Sequence, residues 1–304
     1  MTSVAVVILT QDEALHIGRA IESIAGFASE VFLVDSGSTD GTVKIAEARG
    51  AVVVQNPWTS HARQFQWGLD NLPITADWVL RLDADEIIEP DLSTTLIQRL
   101  TALPATVTGV NLKRKHVFLG RWIRHGGRYP VTLLRLWRRG AARIEDRWMD
   151  EHAVLEHGEA MTFEGGFADV NLHDITFFTA KHNKYATLEA VEVLNQRLGL
   201  FDREEGRHAS AQAAVKRGLK ERIYNRLPFG VGPVGYFLYR YIIQLGFLDG
   251  KEGAIYHGLQ GLWYRFLVEA RTLELGRAVE GLAPEQALAE LARLTGLKLT
   301  SKPD

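Results

Sequence analysis

Cysteine is absent from this 304-residue chain. That excludes disulfides and thiolate zinc sites, and it fits a reducing compartment. An excess of one charge is missing too: 35 Lys and Arg stand against 37 Asp and Glu, a formal net charge of −2. No global field therefore draws nucleic acid, and none is expected as a partner. A long uninterrupted apolar run is also lacking. The nearest candidate, 229–248, carries Arg240, Gln244, Pro233 and four glycines, a poor composition for a membrane span. At the N-terminus Met1-Thr2-Ser3-Val4 leads straight into strand-like sequence without a basic n-region. The expectation is a cytoplasmic chain without a secretory leader, soluble or peripheral on the inner membrane face. Internal repeats and low-complexity tracts are missing as well.

What is present is ordinary globular material, 46% apolar and 24% charged, long enough for one large domain or two modest ones. The first half alternates. Apolar runs at 4–9, 31–34, 51–54 and 78–82 have strand length, and the segments between them keep helical spacing, as in Leu15, Ile17, Ala20, Ile21 and Ile24. Strands apolar on both faces and separated by helices predict a mostly parallel sheet covered by helices on each side. Residues 107–117 and 132–137 read as longer strands with interleaved cations (Lys113, Arg114, Lys115, Arg135). Beyond about Asp174 the pattern is almost wholly helical, and the last helix is expected to start near Pro284. The predicted division is an α/β catalytic and nucleotide-binding domain over 1–175 and a helical region over 176–304.

The most informative tripeptide is Asp83-Ala84-Asp85, at the end of the run Trp78-Val79-Leu80-Arg81-Leu82. Two carboxylates bracketing one residue at a strand end suit a divalent cation, Mn²⁺ or Mg²⁺, which shares its oxygen shell with substrate phosphates. Thr10-Gln11-Asp12-Glu13 follows the first strand and Asp35 ends the second. If the strands are parallel, all these groups emerge along one sheet edge, where open α/β sheets bind ligands. A carboxylate there suits a ribose hydroxyl or a base N–H. The loop 35–42 also reads as a plain helix start capped by Thr39 or Asp40.

Three segments carry a resemblance. Val-Val-Ile-Leu-Thr-Gln-Asp-Glu at 6–13, Val-Asp-Ser-Gly-Ser-Thr-Asp-Gly-Thr at 34–42 and Leu-Asp-Ala-Asp-Glu at 82–86 resemble, in order and spacing, the motifs of family 2 inverting glycosyltransferases. A closer likeness is to the subgroup that builds bacterial lipopolysaccharide core, capsule or exopolysaccharide. It rests on Trp148-Met149-Asp150-Glu151-His152, Lys181-His182-Asn183-Lys184-Tyr185 and Gly246-Phe247-Leu248-Asp249-Gly250.

The resemblance implies a GT-A fold, a nucleotide-sugar donor such as a UDP-sugar, and a glycan or lipid-linked glycan acceptor. It implies that Asp35 contacts the nucleoside and that Asp83 and Asp85 hold donor and metal, with Thr10 and Glu13 on the nucleotide side. His173, at the end of the catalytic domain, takes the place from which a histidine reaches metal or diphosphate. The third helix departs from the pattern, carrying Gln66 where the family often has Asn, so ligand and packing roles for Arg63, Gln64 and Gln66 both stand open.

Inverting transfer needs a base at the acceptor hydroxyl. Asp150 and Glu151 are adjacent and on an extended backbone point in opposite directions, so one of them faces the cavity. The resemblance implies an acid after the middle strands, with Asp150 preferred. Lys181, with His182 and Lys184, suits the diphosphate leaving group, whose charge grows as the bond breaks; a solvated helix face explains them equally. Six basic residues at 207, 216, 217, 220, 222 and 226 share a segment with Val215, Leu219, Ile223 and Leu227, a basic amphipathic pattern suited to an anionic membrane surface.

Competing chemistries fit less well. A phosphatase built on Asp-x-Asp prefers Thr or Val where Ile87 stands, and a nucleotidyltransferase needs a Gly- and Arg-containing loop where Thr10–Glu13 stands. An EF-hand needs Gly where Ile88 stands. A sugar-nucleotide-binding module without catalysis is the remaining alternative.

Overall fold

The computed structural model describes residues 2–145, 152–201, 228–297 and 299. Two compact units divide at Leu172/His173.

In the first unit β1 (Val4–Thr10) is apolar on both faces because both faces are covered. Val4, Val6 and Ile8 point to the side of α1 (Ile17–Ile24), whose Ile17, Ala20, Ile21 and Ile24 pack against them. Ala5 and Val7 point to the other side, towards Ala62 and Phe65 of α3 (His61–Asn71). The two-residue period of the strand thus feeds two separate cores.

Around β1 lie β2 (Glu30–Asp35) and β4 (Trp78–Arg81), both parallel to it, and β3 (Val52–Gln55) pairs parallel with β2. The short helix α2 (Thr42–Glu47) joins β2 to β3. The chain reverses its winding at β1, with β2 and β3 to one side and β4 to the other, a topological switch point.

Past β4 the sheet becomes mixed. β8 (Val131–Arg138) pairs antiparallel with β4 and with β6 (Val107–Phe118), and β11 (Glu159–Val170) lies parallel to β6. The short β5 (Glu86–Ile88) closes this edge against β11, and β7 (Arg121–Ile123) folds back on β6. Between β5 and β6 runs α4 (Pro90–Arg99). A two-stranded ribbon, β9 (Ala142–Ile144) with β10 (Ala153–Leu155), stands apart. The α/β sheet flanked by helices is the expected fold class.

The described part of the second unit is helical. Asp174 caps α5 (Ile175–Leu198) by accepting from the Phe177 N–H at 2.8 Å. After it come α6 (Val231–Leu238), α7 (Gly250–Tyr256), α8 (Tyr264–Ala278) and α9 (Pro284–Thr295). Ala190, Val191 and Leu194 of α5 pack with Leu275 of α8 and with Ala287, Leu288 and Leu291 of α9. Two π-helical turns, Tyr239–Ile243 and His257–Trp263, interrupt the series. Ile255, Phe266 and Leu273 are exposed, while Tyr264, Val268 and Leu275 turn inwards.

Candidate functional site

Thr10 and Asp35 end β1 and β2 directly opposite one another. The Thr10 hydroxyl donates to Asp35 Oδ1 at 2.9 Å. The same carboxylate also accepts from the Gly37 N–H (3.0 Å), the Ser38 N–H (2.8 Å), the Ser38 hydroxyl and the Gln55 amide (3.0 Å). Burial alone would push Asp35 up, yet these bonds, led by Ser38, hold it below the usual carboxylate range. Five donors occupy its lone pairs, so the side chain organises the loop after β2. A direct bond to a nucleoside would displace one of them.

That loop is laced to the one after β1. Asp12, in the left-handed region at φ 55°, accepts from the Thr39 N–H at 2.8 Å, and its own N–H donates to Ser38 Oγ at 2.8 Å. The Glu13 N–H donates to Thr42 Oγ1 at 2.7 Å. The Glu13 carboxylate meets His16 Nδ1 at 2.6 Å, while His16 Nε2 accepts from the Leu172 N–H at 3.0 Å. An Nε2 that accepts leaves the proton on Nδ1, so His16 donates to Glu13 and ties both to the end of the β11 segment.

Gln64 is buried in the first turn of α3. Its Oε1 accepts from the Asn56 amide at 2.7 Å, and its Nε2 donates to Ser36 Oγ (3.0 Å) and to the Asn56 carbonyl (2.8 Å). Gln66 accepts from the Ile144 N–H at 2.9 Å and donates to Asp70 at 2.8 Å. Arg63 is exposed, its N–H held by the Ser60 cap at 3.2 Å.

Asp83 follows β4 and faces two guanidinium groups. Arg135, from the middle of β8, reaches its two oxygens at 3.3 and 3.1 Å, and Arg81 Nε lies 3.4 Å away. Arg135 also donates to Glu86 Oε1 at 2.7 Å, and the Asp83 N–H donates to Glu86 Oε2 at 2.9 Å. The pair Arg135–Glu86 is buried, whereas 41% of the Asp83 side chain is open to solvent. Enclosure works to raise Asp83, but Arg135 and then Arg81 hold it well below the usual carboxylate range. Glu86 moves the other way, pushed up to about 8 by burial and by the Asp83 and Asp169 charges, against the pull of Arg135.

Asp85 sits in the turn between β4 and β5, half-buried. Its carbonyl accepts from the Val170 N–H at 2.9 Å, and its carboxylate accepts from the Asn171 amide at 3.1 Å. Arg19 of α1 donates to the Val170 carbonyl at 2.7 Å and lies within electrostatic reach of Asp85. The tip of β11 therefore fixes the carboxylate at the carboxyl edge of the sheet.

The donor set suits a hard cation, since Asp83 and Asp85 offer only oxygen. Among the described residues no three His, Asp or Glu side chains converge on one point, so a cation there would need phosphate and water oxygens to fill its shell. His173 belongs to the second unit, where its ring stacks on Phe177 at 3.9 Å. Lys181 is exposed on α5, with Nζ 5.8 Å from the centre of the Tyr185 ring. Asp150 and Glu151, and the basic segment 207–226, lie outside the described residues.

Arg135, Glu86, His16 and Asn171 went unread in the sequence. A signal existed for Arg135: a cation inside the apolar run Leu134-Arg135-Leu136 needs a buried acid opposite. None existed for the bond of Asn171 to Asp85, 86 residues away, or for that of the Leu172 N–H to His16, 156 residues away.

Comparison with known proteins follows the same line. Residues 5–167 match the family described as Glycosyl transferase family 2. An uncharacterised glycosyltransferase of Rickettsia felis is 41% identical over 92 residues, 30% of this chain and 32% of that protein, so the match spans about a third of that relative's length. A lipopolysaccharide core biosynthesis glycosyltransferase, LpsC, of Rhizobium meliloti is 26% identical over 279 residues, 87% of this chain and 93% of its own. A solved glucosyl-3-phosphoglycerate synthase from Mycobacterium tuberculosis, in complex with Mn²⁺, UDP and glucosyl-3-phosphoglycerate, is 26% identical. It covers 38% of this chain and 44% of its own, at a TM-score of 0.32. With the family match running from within β1 to within β11, more than half of its length, the chain belongs to glycosyl transferase family 2.

Proposed function

We propose that this glycosyltransferase moves a sugar, with inversion, from a nucleoside-diphosphate donor of the UDP-sugar type to a hydroxyl of a bacterial cell-surface glycan or its lipid-linked precursor. The observation that carries the reading is the placing of Asp83-Ala84-Asp85 at the carboxyl end of β4, beside the paired ends of β1 and β2 at the switch point. The similarity to a lipopolysaccharide core enzyme along most of the chain supports the acceptor class.

In this reading the ordered loops at 10–13 and 35–42 cradle the nucleoside, with Asp35 and Gln64 setting their shape. Asp85 holds Mn²⁺ or Mg²⁺, and Asp83, steered by Arg135 and Arg81, faces the donor. The cation, when bound, neutralises diphosphate charge. The acceptor oxygen attacks the anomeric carbon as the bond from that carbon to the phosphate oxygen breaks. The electron pair leaves with the nucleoside diphosphate, and the acceptor proton passes to a carboxylate, assigned to Asp150 in preference to Glu151. Lys181 and His173 are assigned to the diphosphate side.

Calorimetry of UDP with and without Mn²⁺ tests the core of this. Asp85→Asn should abolish the metal-dependent part of binding, because the remaining oxygens do not offset cation dehydration. Unchanged metal dependence in that variant would refute the assignment.

A further inference from the structure

The segment 229–248 is built inside out. In α6 and the π turn after it, Val231, Val234, Leu238 and Ile242 recur at intervals of three and four and are all exposed, and Ile243 is 70% exposed. Phe247 and Leu248 continue the apolar surface. The opposite side holds the polar groups: Arg240 is 6% exposed, Asp249 2% and His257 0%. Arg240 donates to Tyr236 Oη at 2.9 Å. A surface helix in water shows the reverse arrangement.

The inward side is tightly closed. A Cβ at Gly246 would stand 2.7 Å from the His257 ring, and one at Gly253 would stand 2.5 Å from Asp249 Cβ. No slight rotation that would carry Arg240 outwards and Ile243 inwards fits such packing. The apolar face is a fixed product of the fold, and a contiguous exposed patch of this kind marks an interaction surface.

Charge selects the occupant. Between residues 206 and 228 the sequence holds six Lys or Arg and a single acid, Glu221, in a chain whose net charge is −2. An apolar face flanked in sequence by concentrated positive charge complements an anionic lipid headgroup layer. No described helix is long and apolar enough to cross a membrane, which leaves a surface that lies on the bilayer.

We propose that the face made by Val231, Val234, Leu238, Ile242, Ile243 and Phe247 seats this protein on an anionic lipid surface. The observation stands by itself; the proposed lipid-linked acceptor supplies only its purpose.

Because the chain lacks cysteine, Ile243→Cys in the full chain gives a single attachment point for an environment-sensitive dye. Vesicles containing phosphatidylglycerol should shift its emission to the blue, reversibly with salt. Pure phosphatidylcholine vesicles should not, and neither should a dye on Gln98→Cys, exposed on α4. Replacing Leu238, Ile242 and Ile243 together by Gln should lower vesicle partition by about tenfold or more, with helical circular dichroism retained.

Three results would overturn the proposal. Unshifted emission with every vesicle would leave the face solvated. Emission already blue and shielded from quenchers without lipid, at every protein concentration, would mean that the chain's own residues cover the face. The same signal growing with protein concentration would assign it to a second copy. Donor hydrolysis, assayed without vesicles, separates the two readings: its absence refutes the transferase proposal and leaves the lipid result standing.

Discussion

Arg135 serves both Glu86 and Asp83. Arg135→Met would strand a buried Glu86 carboxylate once pH exceeds about 8, and removing one partner of a buried charged pair costs about 3–5 kcal/mol; urea unfolding at pH 9 should show a loss of that order. The same network gives a pH dependence with a definite sign. Folded Glu86 keeps its proton up to about 8 rather than 4.5, so its stabilising contribution is complete below about 4.5 and lost as pH rises through 8. Asp83 acts oppositely: its depressed value stabilises the fold above the ordinary 3.8 and loses that effect on acidification. Stability measured from pH 5 to 9 should therefore fall, and Glu86→Gln should flatten the fall; an identical slope in the variant would disprove the Glu86 origin. A separate prediction concerns chemistry alone. Asp150→Asn should leave donor affinity nearly intact and lower kcat by about 10²–10⁴, and if Glu151→Gln shows that loss instead, the two roles exchange. The Asp83-Ala84-Asp85 tripeptide was visible in the sequence because it is contiguous. The sequence concealed how fully Asp35 and Gln64 are engaged in internal bonds, because their partners come from three separate segments.

Elements were legible where one strand or helix repeats its own period. The run at 4–9 became β1 (Val4–Thr10), the run at 78–82 became β4 (Trp78–Arg81), and the helix expected from Pro284 begins there. The helical spacing that begins at Leu15 becomes a helix only from Ile17, because Asp12, Glu13 and Ala14 are spent on bonds to the neighbouring loop. β11 escaped notice for a physical reason. Its sequence, with Glu159, Glu164, Gly165 and Gly166, lacks alternation, and the register against β6 shifts within it. Gly165 explains the irregularity: at φ 90° it lets the strand pass α4 so closely that a Cβ would stand 2.8 Å from the Leu92 backbone nitrogen. Gly165→Ala thus combines positive-φ strain with a backbone clash, and a loss of about 1–3 kcal/mol in unfolding free energy is expected. A neutral result would mean that α4 and β11 can separate at no cost.

At the scale of the whole molecule the two units report through different probes. Six of the seven tryptophans, all but Trp263, precede His173, whereas the second unit is helical throughout its described part. Tryptophan fluorescence therefore follows the unit that carries Asp35, Asp83 and Asp85, and far-ultraviolet circular dichroism weights the helical one. A ligand that binds only the folded state stabilises it by RT ln(1 + [L]/Kd), about 2.7 kcal/mol at a hundredfold excess over Kd. If donor and cation bind at the carboxyl edge of the first sheet, a matching nucleotide sugar with Mn²⁺ should raise the fluorescence midpoint by a few degrees. Neither component alone should achieve the full shift, because each fills part of the other's coordination shell. A panel of nucleotide sugars ranked by this shift would identify base and sugar together. The Asp85→Asn variant should lose the metal-dependent increment. A panel in which no nucleotide sugar moves the fluorescence transition with either Mn²⁺ or Mg²⁺ would sink the donor assignment. A shift of equal size in Asp85→Asn would move the cation elsewhere.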